Sequence, residues 1–113
     1  MPRIYVVNRS SHDFSPALEW GEELIFLSEG SMNKYAITDM YRQFSERMDS
    51  SQPHDYILPC ALSNMNLIAA SIFAHKHGRL NLLLYKQGKD ETGRFGKHKY
   101  IERTLMFDGQ TDS

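Results

Sequence analysis

The sequence predicts an α/β fold: a compact three-layer, Rossmann-like sheet, mostly parallel, with a C-terminal antiparallel hairpin. Apolar runs at 4–7, 24–27 and 56–59 each stop in short polar residues, and a helix-like pattern follows each of them. The first link is long enough for a parallel crossover, which needs about a dozen residues. Two strand patterns without a helix between them complete the order β-α-β-α-β-α-β-β, which predicts a single domain, 1–113.

The first strand is predicted over 3–8, where β-branched and aromatic residues are concentrated. Ser15 then suits an N-cap, and Pro16 suits the first helical position. Gly21 ends this helix after one or two turns. The second strand is predicted over 23–28.

Gly30 and Ser31 are predicted to open a helix over 32–48. Apolar residues that recur at three- and four-residue steps define its expected inner face, namely Ile37, Met40, Tyr41, Phe44 and Met48. The expected outer face is polar and charged, with Asp39, Arg42, Gln43, Glu46 and Arg47.

The third strand is predicted from residue 56 to residue 59 or 60. Ser63 is predicted to cap a helix over 64–76 that ends at Gly78. This helix is apolar on more than one face. Such a helix is buried on several sides, either under a second layer or in a subunit interface. The sequence therefore favours a homo-oligomer over a monomer.

The fourth and fifth strands, over 80–85 and 99–107, are predicted to form an antiparallel hairpin at the sheet edge, followed by a frayed tail over 108–113. Alternation in the fifth strand places Tyr100, Glu102 and Thr104 on one face, and Ile101, Arg103 and Leu105 on the other.

Composition narrows the class of protein. A hydrophobic fraction of 41% is ordinary for a globular protein, and no apolar run reaches the roughly 18 to 20 residues of a membrane span. Met1 runs almost directly into a strand pattern, which leaves no room for a signal peptide. The single cysteine, Cys60, excludes an internal disulfide framework. We therefore expect a cytoplasmic protein.

Positive charge is concentrated late in the chain. Residues 74–103 contain eight Lys/Arg against three Asp/Glu, although the net charge of the whole chain is −1. This stretch could attract a nucleic acid, a phosphate ligand or an acidic protein patch. It is equally typical of a hairpin loop that lysines keep solvated.

If the first three strands are parallel neighbours, their polar tails meet at the carboxyl edge of the sheet, where open α/β sheets bind ligands. Hydroxyl and amide groups there, together with free helix N–H groups, suit an anion. Basic residues of the hairpin would contribute charge. The predicted ligand-binding residues are Asn8, Ser10, His12, Ser28, Glu29, Ser31, Ser63, Asn64, Arg94, Lys97, Lys99 and Arg103. Alternatively, Ser31 and Ser63 are simply helix caps.

Other chemistries have weaker support. No G-x-G-x-x-G or G-x-x-x-x-G-K-[ST] loop occurs, so we expect no dinucleotide or other cofactor. His12 with Asp13 could activate Cys60 as a nucleophile, although a lone cysteine is usually a small buried hydrophobe. His75 and His77 point about 200° apart on a helix, so no metal site is predicted. We assign no catalytic residue.

Several segments together resemble small bacteriophage-encoded accessory proteins: residues 3–9, 12–15, 26–30, 55–58 and 77–83. Proteins of this kind often act by capture. The resemblance implies a non-enzymatic binding protein that counters host defence, either by sequestering an anionic nucleotide-like signal or by inhibiting a host nucleic-acid enzyme. The alternatives are a small cysteine/histidine-dependent hydrolase and a direct nucleic-acid-binding accessory protein.

Overall fold

A computed structural model describes residues 1–86 and 99–107 and confirms the predicted α/β fold. Its elements are β1 (Arg3–Val6), a 3₁₀ helix (Ser15–Glu19), β2 (Glu23–Phe26), α1 (Ile37–Arg47), β3 (Tyr56–Leu58), α2 (Ser63–His77), β4 (Arg79–Lys86) and β5 (Lys99–Met106). The strands form one sheet in the order β2-β1-β3-β4-β5. β1 is parallel to β2 and β3, β3 is parallel to β4, and the β4–β5 pair is antiparallel.

The strand order explains which face each connection covers. The chain steps from β1 to β2 in one direction, and then steps in the opposite direction to reach β3 and β4. Right-handed crossovers in opposite directions lie on opposite faces. Accordingly, α1 and α2 pack on one face, and the 3₁₀ helix packs on the other through Ala17. Among residues 1–86 and 99–107, the third layer consists of the 3₁₀ helix and its flanking residues.

The interior strand β1 is buried on both faces, which explains its continuous apolar sequence. Ile4, Tyr5, Val6 and Val7 are all fully buried. Tyr5 and Val7 join the core beneath α1 and α2, whereas Ile4 and Val6 join the core beneath the 3₁₀ helix. Gly21 is required in that second layer because a Cβ would lie 2.7 Å from the Pro2 carbonyl oxygen.

Helix α1 begins at Ile37, so the predicted start at residue 32 was wrong. Its buried residues, Met40 and Phe44, were predicted correctly, but Ile37 and Tyr41 are exposed rather than internal. The buried face of α1 is therefore narrower than the face predicted from the periodicity of its apolar residues.

Two residues predicted to point outward from α1 turn instead to the edge strand β2. The Gln43 amide donates to the Leu27 carbonyl at 2.7 Å, and the Arg47 guanidinium donates to the Phe26 carbonyl at 3.2 Å. These donors occupy carbonyl groups at an otherwise open sheet edge, which limits edge-to-edge pairing with other chains.

Helix α2 has a short inner face and a left-handed end. Met65, Ala69 and Phe73 are buried against the sheet. Gly78 has φ 69° and its N–H donates to the Ala74 carbonyl at 2.8 Å, which confirms the predicted left-handed C-terminal glycine. The predicted cap was wrong by one residue, because Leu62 occupies the N-cap and Ser63 is the first helical residue.

The β4–β5 ladder confirms the predicted antiparallel pair at the sheet edge. Tyr85 pairs with Tyr100, Leu83 with Glu102 and Asn81 with Thr104. Tyr100 belongs to the core on the 3₁₀-helix face. The predicted loop at the tip of the hairpin and the predicted tail lie largely outside the described residues.

A buried asparagine joins three segments at the amino edge of the sheet. Asn81 is 2% exposed, and its amide donates to the carbonyls of Pro53 and Asp55, both at 2.7 Å. Its oxygen accepts from Arg79 Nε and Thr104 Oγ1, both at 3.1 Å. All four hydrogen-bonding positions of the amide are therefore used.

The end of α1 is joined to the end of α2 by a second polar group. Lys76 Nζ donates to the carbonyls of Met48 and Asp49 at 3.0 and 2.6 Å, and it lies 3.3 Å from Ser51 Oγ. Ser51 Oγ is also 2.8 Å from His77 Nε2. Burial lowers the pKa of His77, so its neutral form is favoured in the folded protein, and the tautomer of that form decides whether Nε2 accepts from Ser51 or donates to it.

Two tyrosines of the core differ in how their hydroxyl groups are satisfied. The Tyr56 hydroxyl donates to Glu102 Oε2 at 2.6 Å, and burial, with this carboxylate, raises the pKa of Tyr56 to about 12. The Tyr5 hydroxyl is buried near Arg3 and Ser50, yet within residues 1–86 and 99–107 it makes no hydrogen bond of good geometry. Desolvation raises the pKa of Tyr5 as well.

Candidate functional site

The carboxyl ends of β1, β2 and β3 share one edge of the sheet, as predicted from the polar tails. Beyond the strands, Arg9 and Glu29 continue the parallel pairing of β1 with β2. The connection after β1 leads to β2 and the connection after β3 leads to β4, in opposite directions, so the gap between β1 and β3 is the topological switch point. Ligands of open α/β sheets bind at such a point.

Two of the predicted ligand-binding residues, Asn8 and Ser28, link the polar segments that follow β1 and β2. We call this contact between the two segments the seam. Ser28 Oγ lies 2.7 Å from the Val7 carbonyl oxygen and 2.9 Å from Asn8 Oδ1. The Asn8 amide donates to the Gly30 carbonyl at 3.2 Å. Ser28 is 3% exposed. These contacts order the backbone at the rim and leave Ser28 with little surface to offer a ligand.

The carboxylate of Glu29 is neutralised by a neighbour. Arg9 Nε lies 2.9 Å from Glu29 Oε1, and the Arg9 guanidinium stacks 3.9 Å from the centre of the Phe26 ring. Both side chains of the ion pair are more than half exposed, so the pair contributes little to stability. Its effect at the rim is to offset the negative charge of Glu29.

A cavity of about 350 Å³ lies where the loops after β2 and β3 meet. Its walls are Lys34, Tyr35, Leu62, Ser63 and Asn64. The Asn64 amide donates to the Lys34 carbonyl at 2.8 Å and fixes the two loops together. We call this the rim cavity.

The N-terminus of α2 opens into the rim cavity without a side-chain cap. The N-cap Leu62 has extended dihedrals of −61° and 151°, but its apolar side chain cannot accept a hydrogen bond. Asn66 reaches back to Ala61 instead, accepting from its N–H at 3.1 Å and donating to its carbonyl at 2.9 Å. The first turn has no acidic residue. Its N–H groups and the positive end of the helix dipole are therefore available to an anion.

The turn before α1 forms the opposite wall of the rim cavity through Lys34 and Tyr35. The N-cap of α1, Ala36, gives no side-chain cap, but the Ile37 N–H donates to the Tyr35 carbonyl at 2.8 Å. The preceding turn is built by Asn33, whose side chain accepts from the Tyr35 N–H at 3.0 Å. This turn exposes the Tyr35 ring and holds the Lys34 ammonium 5.3 Å from the ring centre. A cation and an aromatic ring thus lie across the rim cavity from the N-terminus of α2.

His12 lies in a separate aromatic group on the other face of the rim. Its ring packs edge-on against Phe14 and Tyr85 at 4.9 and 5.4 Å, and Nε2 is 3.4 Å from the Tyr100 hydroxyl. Burial raises the pKa of Tyr100 to about 12, so the hydroxyl is protonated at neutral pH. Ser10 Oγ accepts from the His12 N–H at 3.2 Å and shapes this loop.

Cys60 lies at the switch point with its thiol donating to the Asn8 carbonyl oxygen at 3.4 Å. The residue is exposed, but the protein around its sulfur still desolvates it and raises the pKa of the thiol. A neutral thiol is a poor nucleophile. The imidazole of His12 is engaged with Tyr100 rather than with a thiolate.

The remaining predicted residues are spread more widely. Ser31 is exposed between β2 and α1, and Lys99 lies at the rim opposite Lys86. Arg103 lies in the middle of β5, opposite Leu82, and is not brought to the rim. Arg94 and Lys97 fall outside the described residues. The structure therefore brings together Ser63 and Asn64 at the rim cavity, with Asn8, Ser28 and Glu29 in the neighbouring seam.

Sequence reasoning missed Lys34, Tyr35 and Leu62, which line the rim cavity. The predicted helix over 32–48 had placed the first two on a helical surface. Asn33 was the available signal, because an asparagine side chain that bonds the backbone two residues on favours a turn over a helix. Nothing in the sequence indicated that Leu62 lines the cavity, because it is an exposed apolar residue at an N-cap position.

Comparison with protein families shows that the chain belongs to a class of phage proteins. The family described as Phage Pam3 gp32-like protein matches residues 2–96, and the chain belongs to this family. No curated protein and no solved structure was found to match the chain. In the part of the chain that the structure describes, no helix is long and apolar enough to cross a membrane, and no three His, Cys, Asp or Glu residues are grouped to hold a metal.

Proposed function

We propose that this phage protein is a non-enzymatic binding protein that captures an anionic, nucleotide-like molecule in the host cytoplasm and so counters host defence. One observation supports this more than any other: the N-terminus of α2, which has no side-chain cap, opens into the rim cavity beside Lys34. Helix N-termini bind phosphate through their N–H groups and dipole.

The remaining walls of the rim cavity suit the other parts of a nucleotide. Ser63 and Asn64 offer hydroxyl and amide groups, and Tyr35, 76% exposed, offers a ring on which a base can stack. A volume of about 350 Å³ lies at the lower end of the range for small-molecule sites. The site therefore suits a mononucleotide, or one part of a larger nucleotide.

A second candidate is direct inhibition of a host nucleic-acid enzyme. Its support is the end of the edge strand β5, where Leu105, Met106 and Phe107 are 52, 57 and 41% exposed. An exposed sheet edge with apolar side chains can pair with a strand of another protein. A complex recovered from host lysate that is lost in Leu105→Glu would favour this candidate.

Hydrolysis and direct nucleic-acid binding have less support. The raised pKa of Cys60 disfavours a thiolate nucleophile. The chain is not basic overall, and Arg103 does not lie beside the cations of the rim.

The test is native mass spectrometry after incubation with a nucleotide extract of phage-infected host cells. We expect the wild-type protein to retain a small molecule whose mass is that of a phosphorylated compound. Lys34→Ala should lose most of this species because a cation beside the phosphate is removed. Arg42→Ala, which removes an exposed cation from α1 away from the cavity, should retain it. Bare wild-type protein, or equal loss in both variants, would contradict the proposal.

A further inference from the structure

One face of the edge strand β5 carries positive charge at regular intervals. The register of β5 against β4 places Arg103 opposite Leu82 and Leu105 opposite Leu80. Leu80 belongs to the core beneath α1 and α2, and Leu82 packs against it, so this face of β5 lies on the helix side of the sheet. The residues of this face are, in order, Lys99, Ile101, Arg103 and Leu105. Cations alternate with aliphatic side chains, and we call these four residues the basic strand face.

The basic strand face is open to solvent. Lys99, Arg103 and Leu105 are exposed, and Ile101 is half-buried. Helix α2 packs against β3 and β4, and β5 lies beyond them at the end of the sheet. Among the strands that the structure describes, none pairs with the outer edge of β5. This edge can therefore accept a strand from another molecule.

The positive charge of this surface is not compensated by neighbouring side chains. Lys86 lies directly opposite Lys99, so two ammonium groups share one cross-strand position. Like charges in this position destabilise a strand pair. Within residues 1–86 and 99–107, neither these lysines nor Arg103 forms an ion pair, and the Arg103 guanidinium donates to the Glu102 carbonyl at 2.7 Å. A carboxylate from a bound molecule would offset this charge.

The carboxylates of the surrounding elements are not available to these cations. Helix α2, on the same side of the sheet, contains neither Asp nor Glu. The side chain of Glu102 lies on the opposite face of β5, where its carboxylate accepts from the Tyr56 hydroxyl at 2.6 Å. An anionic partner would therefore meet no negative charge from α2, β4 or β5 on this face.

The side chains between the cations decide which anionic partner fits best. A single strand of nucleic acid is held by cations together with aromatic side chains on which its bases stack. The basic strand face has the aliphatic Ile101 and Leu105 instead, and Tyr100 is buried on the opposite face of β5. Aliphatic side chains suit the apolar residues of a peptide. An identical β5 strand would bring the same cations to this face, so its charge also disfavours a second copy of the chain.

We propose that β5 binds an extended, acidic segment of a partner protein, which adds a further strand to the sheet. Side chains of directly opposite residues in paired strands are about 4.5 to 5.5 Å apart at Cβ, so acidic residues opposite Lys99 and Arg103 form cross-strand ion pairs. Aliphatic residues of the segment pack beside Ile101 and Leu105. Because every second residue of a strand lies on the same face, the segment has Asp or Glu at every fourth position and an aliphatic residue midway between them.

This inference rests on the second candidate function, which uses the same strand, and it names the chemistry of the partner. It does not depend on the rim cavity, because the cavity is lined by the loops after β2 and β3.

The test is the fluorescence anisotropy of labelled synthetic peptides titrated with the purified full chain at low ionic strength. The peptide TETVTETVT places glutamate and valine alternately on one face of a strand. The peptide TTEVETTVT has the same composition but places the glutamates and the valines on opposite faces, and TKTVTKTVT has lysine instead of glutamate. We expect TETVTETVT to bind, and the two other peptides to bind at least about fivefold more weakly, because they lose the cross-strand ion pairs.

Substitutions locate the bound peptide on the protein. Arg103→Gln removes one cation from the basic strand face and should raise the Kd of TETVTETVT about threefold. Arg42→Gln is the matched control, because it removes an exposed cation from α1, away from β5, and it should leave the Kd unchanged. Both variants should keep the far-ultraviolet circular dichroism of the wild type, since both arginines are exposed.

Failure of TETVTETVT to bind, equal binding of TTEVETTVT, or equal weakening by Arg42→Gln would overturn the proposal. Binding of an oligothymidylate that Arg103→Gln weakens, with no effect of this variant on the peptide, would also overturn it, because the occupant would then be a nucleic acid.

The same measurements separate this inference from the function on which it rests. If a complex from host lysate is lost in Leu105→Glu although TETVTETVT does not bind, the second candidate function stands and the partner chemistry proposed here is wrong. Specific binding of the peptide without any complex from host lysate would support this inference and contradict the second candidate function.

Discussion

Compared with Leu62→Ala, Leu62→Asp should raise the stability of the protein and lower its affinity for the ligand. Leu62 already has the extended dihedrals of an N-cap but has no acceptor. In Leu62→Asp, the new carboxylate would accept from the N–H groups of Asn64 or Met65. The same N–H groups form the proposed phosphate site, so the protein would carry its own competitor there.

The magnitude is best judged against Leu62→Ala, because both variants lose the same apolar side chain. Leu62 is 54% exposed, so its removal should cost about 1 kcal/mol of the roughly 2 kcal/mol that full burial of a leucine provides. A new aspartate cap should contribute about 1 kcal/mol relative to alanine, with a further few tenths from the helix dipole. Leu62→Asp should therefore be close to the wild type in stability, and more stable than Leu62→Ala by about 4 °C in Tm.

Affinity should follow the reverse order. Leu62→Ala leaves the N–H groups open, whereas Leu62→Asp occupies them and adds a negative charge. The affinity of Leu62→Asp for a phosphorylated ligand should therefore be at least about tenfold lower than that of Leu62→Ala, which corresponds to about 1.4 kcal/mol. Thermal unfolding and calorimetric titration would measure the two quantities. If Leu62→Asp is the more stable variant and yet binds as well as Leu62→Ala, the anion does not bind at the N-terminus of α2.

Three further predictions concern the core. Tyr56→Phe should lower the free energy of unfolding by about 1.5 to 3 kcal/mol, because it removes a hydrogen bond to a carboxylate, whereas Tyr5→Phe should change it by less than about 0.5 kcal/mol in urea titrations. Asn81→Asp should lower the free energy of unfolding by about 3 kcal/mol or more, since a carboxylate would face two carbonyl oxygens. This loss should become smaller in acid, when the carboxyl group is protonated. An equal loss at all pH values would contradict the prediction. The folded state lowers the pKa of His77 from its ordinary value of 6.5, so the unfolded state binds more protons. The stability of the protein should therefore fall as the pH drops below 6.5. His77→Gln should flatten this part of the pH profile, which thermal unfolding would measure.

The strands could be predicted from the sequence because their signal is local and redundant. Ile4 to Val7 form an apolar run that only a strand buried on both faces explains. The alternation around Tyr100 and Glu102 likewise predicted which residues of β5 share a face, although not which face enters the core. The order of the strands could not be predicted, because right-handed crossovers do not by themselves decide whether β1 lies beside β3.

The start of α1 could not be predicted in the same way, because two local signals compete. Ser31 after a glycine is typical of a cap, but Asn33 satisfies the Tyr35 N–H and holds the chain in a turn. The walls of the rim cavity depend on that turn. Arg103 could not be separated from the rim cations by composition, since its distance from them depends on the register of β5 against β4.

The most direct test of ligand capture is a ¹⁵N–¹H NMR titration of the wild-type protein with the nucleotide fraction of infected cells, followed residue by residue. The account predicts that the largest shifts occur at the backbone N–H groups of Ser63, Asn64 and Met65, with smaller ones at Lys34 and Tyr35. Shifts confined to the His12 loop or to β5, or a spectrum that the extract leaves unchanged, would contradict it.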